Sequence, residues 1–267
     1  MDTIAFIGGG HMAAALIGGL VDAGHDPSRL CVVEPLAEQR AHLAARFGVQ
    51  ARAQADDALR DAGLAVWAVK PQQFREAAAA CAGRLAGALQ LSVMAGIRSD
   101  AIVQAGGSAR VVRAMPNTPA LIGRGIAGLF ARDTVSDAER ERVEQLLAPT
   151  GATLWVARED ELDAVTALSG SGPAYVFYFV EAMVQAASEM GLDEAQGRRL
   201  ALATFDGATA LAARSPLPLA ELRAQVTSKG GTTYAALSSL EHDGVKQAFI
   251  QAMHAARRRA AELGEQF

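Results

Sequence analysis

No apolar run in this chain reaches the length of about 20 residues that crossing a bilayer takes, so no membrane span is expected. The chain enters a strand-like apolar segment at once, which leaves no room for a secretory signal, and a cytoplasmic protein is expected. Positive charge is not in surplus: 25 Lys and Arg against 29 Asp and Glu leave a net charge of -4. Nucleic acid and anionic membrane surfaces would not attract such a chain. Cysteine is scarce, and Cys31 and Cys81 stand in apolar surroundings without C-x-x-C spacing, the pattern of buried free thiols. The five histidines, His11, His25, His42, His242 and His254, show no metal-ligand spacing, so no metal site is expected. Repeats, low-complexity linkers and charged tails are also missing. Arg257-Arg258-Arg259 reads as a solvated helix face near a C-terminus, where cations are favoured.

What is present is an alternation. Strand-like runs at 3–8, 30–34, 63–69, 89–93, 110–114, 126–131 and 152–156 are interleaved with helical patterns at 11–24, 36–47, 71–86, 98–105 and 136–148. That order predicts an α/β fold with a Rossmann-like, doubly wound sheet. Beyond Arg158 strand runs vanish, and alanine-rich helical segments follow at 159–168, 172–191, 193–214, 218–226, 231–242 and 244–264. At 267 residues two domains are the default: a dinucleotide-binding domain over 1–157 and an all-helical C-terminal domain over 158–267.

The first strand runs straight into Gly8-Gly9-Gly10-His11-Met12-Ala13, a G-x-G-x-x-A pattern opening a helix. Gly8 permits the tight turn, Gly10 lets a pyrophosphate approach the backbone, and Ala13 lets the helix lie close to the sheet. The second strand ends at Glu34, roughly 20-odd residues on, where an acidic side chain meets the adenosine ribose. Its carboxylate can accept from both ribose hydroxyls of NADH and would repel the 2′-phosphate of NADPH. Pro35 and Leu36 offer that phosphate no donor, and the nearest basic residue, Arg40, lies on the following helix. The cofactor is therefore NADH or NADPH, with the balance toward NADH.

A second loop of interest reads Val226-Thr227-Ser228-Lys229-Gly230-Gly231-Thr232-Thr233 and opens another helix. Backbone N–H groups at Gly230, Gly231, Thr232 and Thr233, with the hydroxyls of Thr227, Ser228, Thr232 and Thr233, can converge on a carboxylate. Read locally, the same residues are an ordinary helix cap. The segment 172–191 carries apolar residues on more than one face, among them Tyr175, Val176, Phe177, Phe179, Val180, Met183 and Val184. Small residues around it permit close packing, so an intertwined dimer of helical domains is the preferred reading, with a self-contained helical core as the alternative.

Gly8-Gly9-Gly10-His11-Met12, Val69-Lys70-Pro71-Gln72, Met115-Pro116-Asn117-Thr118-Pro119, Ser169-Gly170-Ser171-Gly172-Pro173-Ala174-Tyr175 and the segment 226–233 together resemble pyrroline-5-carboxylate reductase. The likeness covers nearly the whole chain, and its last two motifs are the specific ones. It implies reduction of 1-pyrroline-5-carboxylate to L-proline with NADH or NADPH, a Rossmann domain, a helical dimerisation domain and, often, dimers assembled into a larger ring. It also implies cofactor contacts from Ala68, Val69, Lys70 and Pro71 and from Ala95 and Gly96, in loops outside the carboxyl ends of strands. Asn117, stiffened between two prolines, is a candidate for the nicotinamide or a ribose hydroxyl, or else a plain rigid turn. Thr166 and Ser171 are candidate donors to the ring nitrogen or an ordered water; read locally they cap helices around Gly170 and Pro173. Ser228, Gly230, Gly231, Thr232 and Thr233 are the candidate substrate site.

Two departures from the family pattern are Lys229, where many members carry proline, and His11, where asparagine is common. Two rival readings remain open at this point. A 3-hydroxyacid dehydrogenase would place a lysine base in the first long C-terminal helix, yet the chain's lysines are Lys70, Lys229 and Lys246. A non-catalytic dinucleotide sensor would need no anion-binding turn.

Overall fold

Strand β1 (Thr3–Ile7) shows why the N-terminal half forms layers. Ile4 and Phe6 enter one apolar cluster with Leu16, Ile17 and Leu43, while Ala5 and Ile7 enter another with Trp67, Phe74 and Ile102. Both faces of the strand are thus covered, which explains a continuous apolar run in place of alternation. The computed structural model describes residues 3–266. Helices α1 (His11–Asp22) and α2 (Ala37–Phe47) contribute to the first cluster, and α3 (Phe74–Cys81) and α4 (Ser99–Gly106) to the second. Trp67 meets Phe74 edge-on at 5.5 Å between ring centroids.

The remaining strands are β2 (Leu30–Val33), β3 (Ala62–Trp67), β4 (Leu89–Ser92), β5 (Val111–Met115), β6 (Gly125–Ala131) and β7 (Gly151–Trp155), with α5 (Asp137–Leu147) between the last two. They form one sheet in the order β2-β1-β3-β4-β5-β6-β7. Only the β5–β6 pairing is antiparallel. After β2 the chain returns past β1 to form β3, and this reversal between β1 and β3 opens a crevice at the strands' carboxyl ends.

Several expected strands overshoot, and the reason is informative. Gly8, Glu34, Ala68 and Val69 fall just past the last ladder residues and belong to carboxyl-end loops. The expected helix 71–86 is shorter: Pro71–Gln73 form a 3₁₀ turn ahead of α3, and Gly83, at φ 71°, follows its end. Both cysteines are buried free thiols as expected, and burial raises the Cys81 pKa to about 11.

After β7 every regular element is helical: α6 (Glu161–Val165), α7 (Gly172–Glu189), α8 (Glu194–Arg214), α9 (Leu219–Gln225), α10 (Thr232–His242) and α11 (Val245–Gly264). By packing, the chain divides into Met1–Gly172 with Ala256–Phe267, and Pro173–Ala255. In the first unit α6 is tied to the sheet by charge. The buried Arg113 guanidinium donates to Glu159 at 2.8 Å, and Glu159 also accepts from the Ser99 N–H and hydroxyl. Burial lowers the Arg113 pKa, against which the Glu159 carboxylate acts. Arg98 donates to Asp163 at 2.8 Å.

The second unit is nearly without a core. Ala187, Gly197 and Ala201 are its buried residues, and a Cβ on Gly197 would come within 2.8 Å of the Ala187 Cβ, so α7 and α8 pack backbone-close there. Val176, Phe177, Tyr178, Met183, Met190 and Leu200 are exposed on those helices. Large apolar side chains exposed in such number on neighbouring helices mark a surface that another protein surface covers.

Candidate functional site

The glycine loop after β1 is held by the strands beside it. Gly8 has φ 99°, and a Cβ there would approach the Ala68 carbonyl oxygen to 2.7 Å, so glycine is required on both counts. Its N–H donates to the Val33 carbonyl at 2.9 Å. The Gly9 N–H donates to Glu34 Oε2 at 2.8 Å, and Gln39 Nε2 donates to the Gly9 carbonyl at 2.5 Å. Gly10 caps α1 without a side-chain hydrogen bond, and open space lies where its Cβ would be. An uncapped helix start with an approachable backbone fits a pyrophosphate. His11 is exposed beside it and Met12 half-buried.

Glu34, expected at the ribose, has a carboxylate that also serves the chain itself. It is buried, and both oxygens already accept backbone N–H groups, Oε2 from Gly9 and Oε1 from Leu36, each at 2.8 Å. Glu34 therefore fastens the glycine loop to the end of β2, with only its remaining lone pairs available to a sugar. Arg40 is also nearer than its helical position suggests: its guanidinium donates to the Glu34 and Pro35 carbonyls at 3.0 and 2.6 Å. Gln39 carried no signal in the sequence, because nothing local marks a helix residue as reaching a loop 30 positions away.

The other two loops lie at the same carboxyl-end edge. Ala68 donates its N–H to the Ile7 carbonyl at 2.8 Å, which sets residues 68–71 beside the glycine loop. Ala68, Val69 and Pro71 are half-buried and Lys70 is exposed. After β4, Val93 donates to the Trp67 carbonyl at 3.0 Å; Ala95 and Gly96 follow, half-buried, with Gly96 at φ 75°. A Cβ on Gly96 would lie 3.2 Å from Leu263 Cβ, so the end of α11 backs this loop.

Asn117, a candidate for the cofactor or else for a rigid turn, has both ends of its amide engaged within the chain. Its Oδ1 accepts the Ile126 N–H at 3.0 Å and its Nδ2 donates to the Ser169 carbonyl at 3.1 Å. Residues 169–171, which fall between the expected helices 159–168 and 172–191, continue the helix: Thr166–Gly170 form a π-helical turn between α6 and α7, closed by the Ser171 N–H donating to the Thr166 carbonyl at 2.8 Å. Such turns often mark functional sites. The Thr166 hydroxyl donates inward to the Leu162 carbonyl at 2.7 Å, so it presents lone pairs outward in place of the expected donor. Ser171 is half-buried, and among the described residues its hydroxyl has no hydrogen-bond partner.

In the second unit, the turn before α10 has the conformation an anion receptor needs. Gly230 takes φ 75°, Gly231 caps α10 with no side-chain hydrogen bond, and the Gly231 N–H donates to the Ser228 carbonyl at 3.0 Å. Ser228, Gly230 and Thr232 are exposed and Thr233 half-buried. The first-turn N–H groups of α10 are thus uncapped by any side chain. Thr227 is not available as a donor, since its hydroxyl bonds the Arg223 carbonyl at 2.6 Å.

A parallel-dominated sheet with a glycine loop at its switch point, followed by a helical module, defines a Rossmann-type nicotinamide oxidoreductase. Comparison with known proteins narrows this. Residues 159–263 match the family model for pyrroline-5-carboxylate reductase dimerisation, and residues 3–96 match that for NADP oxidoreductase, coenzyme F420-dependent. The chain is 44% identical to the pyrroline-5-carboxylate reductase of Pseudomonas aeruginosa, over 98% of this chain and 97% of that one. The solved pyrroline-5-carboxylate reductase of Coxiella burnetii superposes with a TM-score of 0.89 at 36% identity, covering 98% of both chains. That of Plasmodium falciparum, with NADP bound, gives 0.88 at 26% identity and the same coverage. The chain belongs to the pyrroline-5-carboxylate reductase family.

Proposed function

We propose that this protein reduces 1-pyrroline-5-carboxylate to L-proline, with residues 1–157 binding the nicotinamide cofactor and residues 158–267 binding the substrate and forming the dimer. The observation that carries the substrate assignment is the glycine-opened, side-chain-free start of α10, where Ser228, Gly230, Gly231, Thr232 and Thr233 offer a carboxylate its donors. Loops 8–12, 68–71 and 95–96 hold the dinucleotide, its pyrophosphate against Gly10 and the start of α1. When bound, the reduced nicotinamide supplies a hydride to the imine carbon. What the chain itself contributes is position: the α10 turn is the receptor for the substrate carboxylate, and the Ser171 hydroxyl and the Thr166 oxygen are the candidate partners of the ring nitrogen. A cyclic imine that arrives protonated needs no strong protein acid. α7 contains no lysine, which leaves a 3-hydroxyacid oxidation without its base. Incubation with the imine and reduced cofactor should yield proline by amino-acid analysis; absence of proline with folded protein overturns the assignment.

The finer reading of the cofactor is a preference for NADH. The Plasmodium relative binds NADP; here the Glu34 carboxylate, held in place by two N–H groups at the end of β2, would disfavour a 2′-phosphate. Arg40 works against this, but its guanidinium is already engaged by two carbonyls. Both cofactors should support turnover, with higher kcat/KM for NADH. Glu34→Ser should shift the ratio toward NADPH and, by freeing the Gly9 N–H, weaken both. A wild-type preference for NADPH that Glu34→Ser leaves unchanged would show that the carboxylate does not face the ribose. We further propose a cytoplasmic location and the assembly of dimers into a larger ring.

A further inference from the structure

The π turn that carries Thr166 and Ser171 is wedged against the ends of β5 and β6 by three contacts of different kinds. Gly128 in β6 has no side chain where Val165 enters: a Cβ there would lie 2.6 Å from Val165 Cγ1. Gly170 is likewise bare toward β5, its absent Cβ only 2.6 Å from Met115 Cε. Between them Asn117 spans the gap with both ends of its amide, accepting from Ile126 of β6 and donating to the Ser169 carbonyl within the turn. We infer that Asn117 is a positioning residue for the reduction, one whose side chain sets the register of the Ser169–Ser171 backbone and so the direction of the Ser171 hydroxyl, and is not itself a cofactor contact. This rests on the proposed role of Thr166 and Ser171.

The chemistry of the amide explains the residue type. One end must accept an N–H and the other must donate to a carbonyl, across a fixed span, and no carboxylate or hydroxyl of the same length does both. A π turn has a looser hydrogen-bond pattern than an α-helix and relies on outside contacts to hold one arrangement. Displacing reacting groups by a fraction of an ångström to an ångström lowers turnover steeply, while binding energy from the carboxylate is unaffected.

Asn117→Asp tests this because it keeps the acceptor for Ile126 and replaces the donor facing Ser169 by an oxygen. The expected result is a fall in kcat of roughly tenfold or more, with the KM for the imine and the fluorescence-titrated Kd of the reduced cofactor changed by less than about threefold. Gly128→Ala displaces the same turn through Val165, whose branched side chain has no flexible end to give way, and should show the same split more weakly. A folded Asn117→Asp with wild-type kcat overturns the inference. So does a large rise in cofactor Kd with kcat retained at saturation, which would return Asn117 to the cofactor. If Asn117→Asp does not fold, an unchanged kcat in Gly128→Ala overturns it. Failure of the wild-type protein to reduce the imine is seen before any variant is measured, and removes the functional reading on which the inference stands.

Discussion

Gly231→Val raises the apparent KM for the imine by about a hundredfold while leaving cofactor affinity within about twofold. Gly231 has φ -81° and ψ 175°, an extended conformation that valine adopts without strain, so the backbone itself is not the obstacle. The obstacle is space: a Cβ there falls 2.6 Å from Ser228 Oγ, and two further methyl carbons would stand over the N–H groups that open α10. Each charge-assisted hydrogen bond lost is worth about 1.5–3 kcal/mol, so losing one or two accounts for a factor of about ten to a hundred or more. Titration of the reduced cofactor without imine separates the alternatives. Equal loss of cofactor affinity would place this loop at the dinucleotide and not at the substrate.

Phe177→Asp converts a dimer, or a larger species, into monomer at micromolar concentration in sedimentation velocity. Phe177 is 61% exposed and its neighbour Tyr178 69%, on a helix whose unit buries only Ala187, Gly197 and Ala201. Long helices that cover so little of their own apolar surface are completed by another copy, and the match of residues 159–263 to a dimerisation model says the same. An aspartate at the centre of such an interface is an unpaired buried charge, a loss of several kcal/mol. Phe179, which the sequence pattern marks equally, is the wrong residue for this test. Its ring packs edge-on against Phe249 at 5.5 Å and Tyr178 at 5.8 Å within the same chain, so Phe179→Asp would damage the protomer first. A stable, active wild-type monomer would contradict the prediction.

The layered sheet was legible because its signals are local and repeated. β1 reads as an apolar run, Gly8 and Gly10 as a turn, and α1 as a helix, each without knowledge of the others. The start of α10 was legible for the same reason, since glycine and hydroxyl residues before a helix act on the backbone beside them. What escaped were bonds whose partners are far apart along the chain. Asn117 and Ser169 are separated by 52 positions and no spacing rule links them; the fingerprint spacing brings Glu34 near the glycine loop but carries no sign that it accepts from the Gly9 N–H, 25 positions back. Gly170 between two serines signals a turn, and in isolation would form one. In the folded chain the helix runs through it, with the Met115 side chain and the Asn117 amide set against that segment. Residue type marks Thr166 as a candidate donor, whereas a helical threonine donates to the carbonyl four residues back when that carbonyl is within reach.

The central claim is that the glycine loop and the α10 turn serve one reaction, hydride transfer to a cyclic imino acid. Steady-state oxidation of NADH and NADPH by purified protein, with the cyclic imine and with a panel of 3-hydroxyacids run in reverse against the oxidised cofactors, tests it most directly. The predicted result is rapid, imine-dependent oxidation with both cofactors, proline as the product, and no turnover of the hydroxyacids. No turnover with the imine, alongside activity on a 3-hydroxyacid, would contradict it.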